Sequence, residues 1–282
     1  MIEATETIDE FLLQHAGDVE DAVRKAARTE ILPRWRRLAD DEIDQKAGPH
    51  DLVTDADRLA EKYLTGALGA LLPGSVVVGE EAVHADPYTY EAIQGDAPVW
   101  IVDPVDGTRQ FVRGEDGFCT LVALAHRGVL LASWTYAPAR EQLATAVRGK
   151  GAFLDGVRLL AGSPAEGQDL EIAASHPDYT TDAQKRALHA LWVDGVAPRA
   201  CGSAGLEYLA VARGELDATA FSWEAAWDHA AGLLLVEEAG GAHLTLDGEP
   251  FRITGGNTLP FTAARDAATA RRVVDLLQNR HW

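Results

Sequence analysis

Trp100-Ile-Val-Asp103-Pro-Val-Asp106-Gly-Thr108 carries an apolar, strand-forming segment straight into two carboxylates, a turn glycine and a hydroxyl. That is the layout of a metal site at the end of a buried strand. The pattern Asp-Pro-x-Asp-Gly-Ser/Thr arises by chance on the order of once in a thousand chains of average composition, so coincidence explains it poorly.

Working outward, residues 1–72 show helical periodicity. Phe11, Val19, Val23 and Ala26 form one apolar stripe, and Leu59, Tyr63, Leu64 and Leu68 another, which predicts two helices. Between them, Asp40 to Asp55 is polar and contains Gly48-Pro49, predicting a loop or short hairpin. From Ser75 the texture becomes β-rich. Val76 to Val78, Val99 to Val102, Cys119 to Ala125, Val129 to Tyr136 and Gln142 to Val147 predict a sheet of about five strands. Beyond Gly149-Lys150-Gly151 strand and helix alternate, with helices expected near Thr181 to Trp192, Leu206 to Arg213, Trp227 to Ala239 and Arg265 to Asn279. The organisation expected is an N-terminal α+β half over 1–150 with most of the acidic site, and a C-terminal α/β half over 151–282 that completes it. The two halves should pack as one continuous body.

The chain of 282 residues carries 25 Lys and Arg against 44 Asp and Glu, a formal charge of −19, which repels nucleic acid and anionic membrane surfaces. Met1 to Leu13 is acidic and amphipathic rather than basic and then apolar, so no signal peptide is expected, and no segment is apolar enough to span a membrane. Cys119 and Cys201 are the only cysteines, too few for a disulfide framework or a zinc cluster. A cytoplasmic protein with small-molecule chemistry follows as the expectation.

Further acids stand at element ends: Glu80-Glu81 after the Val76 to Val78 strand, Asp228 after Trp227, and Asp57 near the start of the second helix. Each has a plain structural explanation as well. Thr54 with an acid three residues on resembles a capping box, Asp228 suits the positive end of a helix dipole, and Glu80-Glu81 could be a solvated pair. If they converge, their mutual repulsion demands cations. An all-oxygen donor set favours hard Mg²⁺ or Mn²⁺ over Zn²⁺, and Mg²⁺ commonly accompanies phosphate chemistry. Gly107 and Thr108 would then offer backbone N–H groups to phosphate oxygens, and the Thr108 hydroxyl beside Glu80 could orient a water. His229 points about 100° away from its neighbour Asp228 on a helix and is not expected to be a ligand. Asp55-Ala-Asp57 imitates the nucleophile pair of phosphoenzyme phosphatases, but it enters a helix instead of ending a strand.

Asp51-Leu-Val-Thr-Asp-Ala-Asp57, Gly79-Glu80-Glu81, Trp100 to Thr108 and Trp227-Asp228-His-Ala-Ala-Gly232 together resemble the inositol monophosphatase family, in order and in spacing. The resemblance extends to Gly149-Lys150-Gly151-Ala152-Phe153 and Gly202-Ser203-Ala204 and so spans nearly the whole chain. It implies a layered α-β-α-β-α sandwich of the kind shared with fructose-1,6-bisphosphatase, hydrolysis of phosphate monoesters without a phosphoenzyme, two or three Mg²⁺ ions, lithium sensitivity and a homodimer. By position, Glu80, Asp103 and the Val105 carbonyl would hold a first metal, and Asp103, Asp106 and Asp228 a second. Asp57 would lie near a third. Glu80 and Thr108 would activate water, the Gly107 and Thr108 amides would hold phosphate, and Lys46 would sit nearby. Substrate contacts are expected from Asp106, Gly107, Thr108, Gly202, Ser203, Ala204, Glu224 and Asp228. Glu224 lies only four residues before Asp228, nearer than the acidic residue of members that prefer inositol phosphate. The leading substrate is a polyol or sugar monophosphate. Histidinol phosphate, fructose 1,6-bisphosphate and nucleotides are alternatives on the same metal core, with a non-catalytic RNA-associated role behind them.

Overall fold

The computed structural model describes residues 2–46 and 52–278; the Gly48-Pro49 segment and Asp51 lie outside them. Helix α1 (Ile2–Ala26) buries Phe11, Val19, Val23 and Ala26, the stripe read from the sequence. A two-stranded ribbon follows, β1 (Ile43–Gln45) antiparallel to β2 (Leu52–Thr54), and leads into α2 (Asp55–Leu71). The hairpin alternative is therefore the one adopted. On α2 the buried face is Ala56, Ala60, Leu64 and Leu68, flanked by two carboxylates, Asp57 and Glu61. Leu59 and Tyr63, expected on the apolar stripe, are only half buried, because the face is rotated to carry those acids inward.

The first sheet has seven strands in chain order: β3 (Val76–Gly79), β4 (Pro98–Asp106), β5 (Cys119–His126), β6 (Val129–Ala137), β7 (Gln142–Val147), β8 (Gly151–Leu154) and β9 (Val157–Arg158). The β3/β4 pair is parallel and the rest form an antiparallel meander. Two more strands are present than expected, since β8 and β9 are too short to announce themselves by alternation. Arg127 and Gly128, both with positive φ, make the two-residue turn between β5 and β6. Short helices α3 (Glu80–Ala85) and α4 (Thr108–Val112) follow β3 and β4.

The second sheet runs β11-β10-β12-β14-β13, built from β10 (Leu170–Ala174), β11 (Val196–Ala200), β12 (Ala218–Ala220), β13 (Ala242–Thr245) and β14 (Phe261–Ala264). Helices α5 (Asp182–Leu188), α6 (Ala204–Ala212), α7 (Ala226–Glu238) and α8 (Ala267–Leu277) complete the chain. Three apolar clusters fix the layering. Trp100, Val102, Val122 and Trp134 pack against α1 and α2, while Val99, Ile101, Leu121 and Ala123 pack against α6 and α7 on the opposite face. Phe221, Phe261 and Ala263 close on those same two helices from the second sheet, and Ile172, Ala220 and Ala264 face α8. The order of layers is thus α-β-α-β-α, as expected. Helices α6 and α7 are buried between two sheets, which is why α7 is apolar nearly all round.

Candidate active site

The site lies where β4 ends. In a regular strand residues three apart point to opposite faces, so Asp103 and Asp106 would diverge. They do not, because the register with β5 slips from Asp103↔Leu121 to Asp106↔Cys119, giving β4 one residue more than its partner. Val105 is accordingly turned into the α1/α2 cluster, while both acids face α6 and α7. Gly107 then turns the chain at φ +91° into α4, a left-handed conformation open to glycine. A Cβ there would stand 2.6 Å from the Gly117 carbonyl oxygen and 3.2 Å from Phe118 Cα.

Asp103, Asp106 and Asp228, the last in the first turn of α7, each offer a carboxylate oxygen within 4.8 Å of the others. At that separation each pair repels by about 3 kcal/mol at an effective dielectric of 20. All three carboxyls are pushed above the ordinary carboxylate range, first by burial and, for Asp103 and Asp228, next by neighbouring carboxylates. An all-oxygen, buried, mutually repelling donor set fits a hard divalent cation. Asp106 is held from behind: Ser203 Oγ donates to it at 2.5 Å, and the Gly205 and Ala204 amides at the start of α6 do so at 2.7 and 3.2 Å. Ser203 thus serves Asp106, and Gly202 and Ala204 line the adjoining cavity of about 250 Å³. Asp103 Oδ1 accepts from the Val105 amide at 3.0 Å.

Glu80 opens α3 and lines the same cavity. Lys46 Nζ donates to Glu80 Oε1 at 2.6 Å and to Glu81 Oε1 at 2.5 Å. Burial pulls the ammonium pKa down, but the two carboxylates outweigh it and leave the pKa raised. Thr108 Oγ1 lies 2.9 Å from the Val105 carbonyl oxygen and 3.4 Å from Asp57 Oδ1. Asp57 Oδ2 accepts from the Thr54 amide and hydroxyl at 2.8 and 2.6 Å, so the capping box exists and the same residue also faces the site. Burial raises the Asp57 carboxyl to about 7, with Thr54 opposing and Glu80 and Glu81 assisting. Asp55 instead pairs with Arg58 near the surface, so the Asp-x-Asp nucleophile pair does not converge.

Glu224 is not among the cavity-lining residues; its Oε2 accepts from the Asn257 amide and side chain at 3.0 and 2.8 Å. His229 is wholly buried between Tyr208 and the Trp223 carbonyl, and burial lowers its pKa to about 3. Cys119 and Cys201 are free thiols buried beside the site, as small apolar residues are.

Two features, Glu61 and Trp223, escaped the sequence reading. Glu61 receives the Glu81 and Ala82 amides at 2.8 Å each and so anchors the start of α3 that carries Glu80; its signal was a charged residue four positions from Asp57 on the apolar face of α2. Trp223 lines the cavity and donates to Asp228. Arg109 lies across the cavity with His176, Asp178 and Tyr179, ion-paired to Asp178. Nothing local in the sequence joins those four.

A buried cluster of oxygen donors at a sheet end, with a hydroxyl and a helix start beside it, places the chain among the metal-dependent hydrolases of phosphate monoesters. The comparisons refine that class. The model of the inositol monophosphatase family matches residues 13–278. An inositol-1-monophosphatase of Bacillus subtilis is 32% identical over 79% of this chain and 86% of its own length, and the Nus factor SuhB of Haemophilus influenzae is 33% identical over 91% of each. Among solved structures, the IMPase of Thermotoga maritima aligns with a TM-score of 0.76 at 25% identity, covering 94% of this chain and 97% of that one. The chain belongs to the inositol monophosphatase family and is a phosphoric monoester hydrolase.

Proposed function

We propose that the chain hydrolyses a small polyol or sugar monophosphate with Mg²⁺, for which Mn²⁺ can substitute. The observation that carries this reading is the convergence of the Asp103, Asp106 and Asp228 oxygens within 4.8 Å. Glu80, Asp103, the Val105 carbonyl, Asp106 and Asp228 are the residues to hold two ions, with Asp57 near a third. When bound, the cations neutralise the phosphate and supply the Lewis acidity for attack by water.

The chain's own groups do the rest. The Gly107 and Thr108 amides, at the turn into α4, hold phosphate oxygens. Thr108 Oγ1 has two acceptors in reach, the Val105 carbonyl at 2.9 Å and Asp57 Oδ1 at 3.4 Å; when it donates to Asp57 it accepts a hydrogen bond from a water and can take that water's proton while passing its own to the carboxylate. Asp57, whose Oδ1 lies 3.4 Å from Thr108 Oγ1, is the carboxylate placed to receive that proton. Lys46 keeps Glu80 and Glu81 in place through its ammonium. Gly202 and Ala204 form the wall beside the phosphate, with Ser203 committed to Asp106. The cavity of about 250 Å³ suits one sugar-sized ring and its phosphate.

A cytoplasmic, lithium-sensitive homodimer without a nucleic-acid partner completes the proposal. The charge of −19 supports the last point even though one relative carries the name Nus factor. No described helix is long and apolar enough to cross a membrane. The test is phosphate release from a panel of polyol, sugar, histidinol and nucleotide monophosphates, with Mg²⁺ and with chelator. Turnover that needs the metal and is lost in Asp106→Asn is expected; turnover indifferent to chelator, or retained by Asp106→Asn, refutes the mechanism.

A further inference from the structure

We propose that Trp223 is a positioning residue for the metal centre, its indole N–H fixing the carboxylate of Asp228 while a buried chain of hydrogen bonds through His229 and Tyr208 fixes Trp223. The inference rests on reading Asp228 as a metal ligand. Nε1 of Trp223 donates to Asp228 Oδ2 at 2.6 Å. The Trp223 carbonyl lies 3.0 Å from His229 Nε2, and because a carbonyl only accepts, that nitrogen carries the imidazole proton. Nδ1 of His229 is then an acceptor, and the Tyr208 hydroxyl donates to it at 2.9 Å. Donation therefore runs in one direction on each side of Trp223: Tyr208 to His229, His229 to the Trp223 backbone, and the Trp223 indole to Asp228.

Packing holds the indole in that pose. Its ring lies against Phe221 and His229 with centroids 4.6 and 5.0 Å apart, inside an aromatic cluster that includes Phe251 and Phe261. Its exposed edge borders the cavity beside Asp228. The χ2 torsion of an aspartate is broad and nearly two-fold, so a carboxylate without a partner samples many orientations. With Oδ2 tied to a rigid indole, Asp228 presents its oxygens in one orientation. Loss of such a partner typically lowers metal affinity about tenfold to a hundredfold.

The alternative is that Trp223 is only a wall of the cavity, and two variants separate the roles. Trp223→Phe keeps an aromatic ring without the N–H. Replacement of Trp223 by benzothienylalanine keeps the bicyclic shape, with sulfur where the N–H stood. Mn²⁺ binding to the full chain, read from the spin resonance of the free ion without substrate, is compared for the parent and both variants. Both are expected to fold cooperatively in chelator and to bind Mn²⁺ about tenfold or more weakly, with KM moving less than metal affinity. Equal affinity in the benzothienyl chain overturns the inference, including the case where only Trp223→Phe is impaired, because ring shape would then be responsible. So does a raised KM with Mn²⁺ affinity intact. A parent that binds no Mn²⁺ overturns the metal centre itself, an outcome distinct from a parent that binds and variants that bind equally well.

Discussion

In Glu61→Gln an acid whose two oxygens each receive a backbone N–H, from Glu81 and Ala82 at 2.8 Å each, becomes an amide with a single acceptor oxygen; near pH 5 the parent carries a proton, but its hydroxyl oxygen still accepts where the amide nitrogen cannot. One N–H at the start of α3 then faces a donor, and a buried donor left unpaired costs about 1–3 kcal/mol. The side chain has no room to turn away, since an added Cβ at Gly79 would already lie 2.3 Å from Glu61 Cδ. The parent, however, carries an ionisation that the variant lacks. Burial raises the Glu61 carboxyl, the two amides lower it, and the Glu81 and Glu80 charges raise it again, from 4.5 to about 7. A group raised on folding contributes stability that is complete below its unfolded pKa and lost as pH climbs through the folded one, here about 3 kcal/mol between about pH 4.5 and 7. Glutamine loses nothing over that window. The variant should therefore melt about 2–10 °C below the parent near pH 5, at about 2–4 °C per kcal/mol, and the gap should close or reverse by about pH 8. Calorimetric melting of both chains in chelator across that range is the assay. A gap that is constant or widens with pH refutes the ionisation assigned to Glu61, and equal melting near pH 5 refutes its double acceptor role.

Two further outcomes follow from the same site. Gly107→Ala combines a left-handed backbone, worth about 1–2 kcal/mol, with overlap against Gly117 and Phe118, worth about 1–3 kcal/mol. A melting temperature about 5–15 °C lower and kcat down about a hundredfold are expected as Thr108 shifts; scanning calorimetry and steady-state kinetics that match the parent would sink this account. In metal-free protein the raised Asp103, Asp106 and Asp228 carboxyls lose stabilisation as pH rises, so Mg²⁺ should raise the melting temperature more near pH 8 than near pH 5, where protons compete. At a hundred times its dissociation constant the ion adds about 2.7 kcal/mol, and a thermal shift of equal size at both pH values contradicts the reading.

The acids proposed as ligands are legible because they stand where chain direction changes: Asp103 and Asp106 at the end of β4, Glu80 at the start of α3, Asp228 in the first turn of α7. What holds them is not. Glu61 reads as one more charge on an amphipathic helix until the opposite wall of its cage, the α3 amides, is known. Trp223 reads as one aromatic in an apolar run, and its partner Asp228 is fixed by where α7 begins. Glu224 shows the converse, since nearness to Asp228 along the chain says nothing of side-chain direction, and its carboxylate is bound to Asn257. Sequence position names the groups that do chemistry; contacts from distant elements decide their orientation.

The stretch from Trp100 to Thr108 makes the point at the level of a single residue. Two carboxylates three apart belong on opposite faces of a strand, and their joint service at one centre requires the extra residue that the bulge inserts. Pro104 is suited to that place. It has no N–H to leave unpaired where the ladder skips a partner, and its carbonyl is taken by the Thr120 hydroxyl at 2.8 Å. A proline inside a buried strand, directly after Asp103, is thus itself the sequence signal for the bulge, and the bulge is what turns Asp103 and Asp106 toward Asp228. The pattern Asp-Pro-x-Asp-Gly-Thr encodes geometry as much as chemistry: two carboxylates, the kink that aligns them, and the left-handed turn that starts α4 beside them.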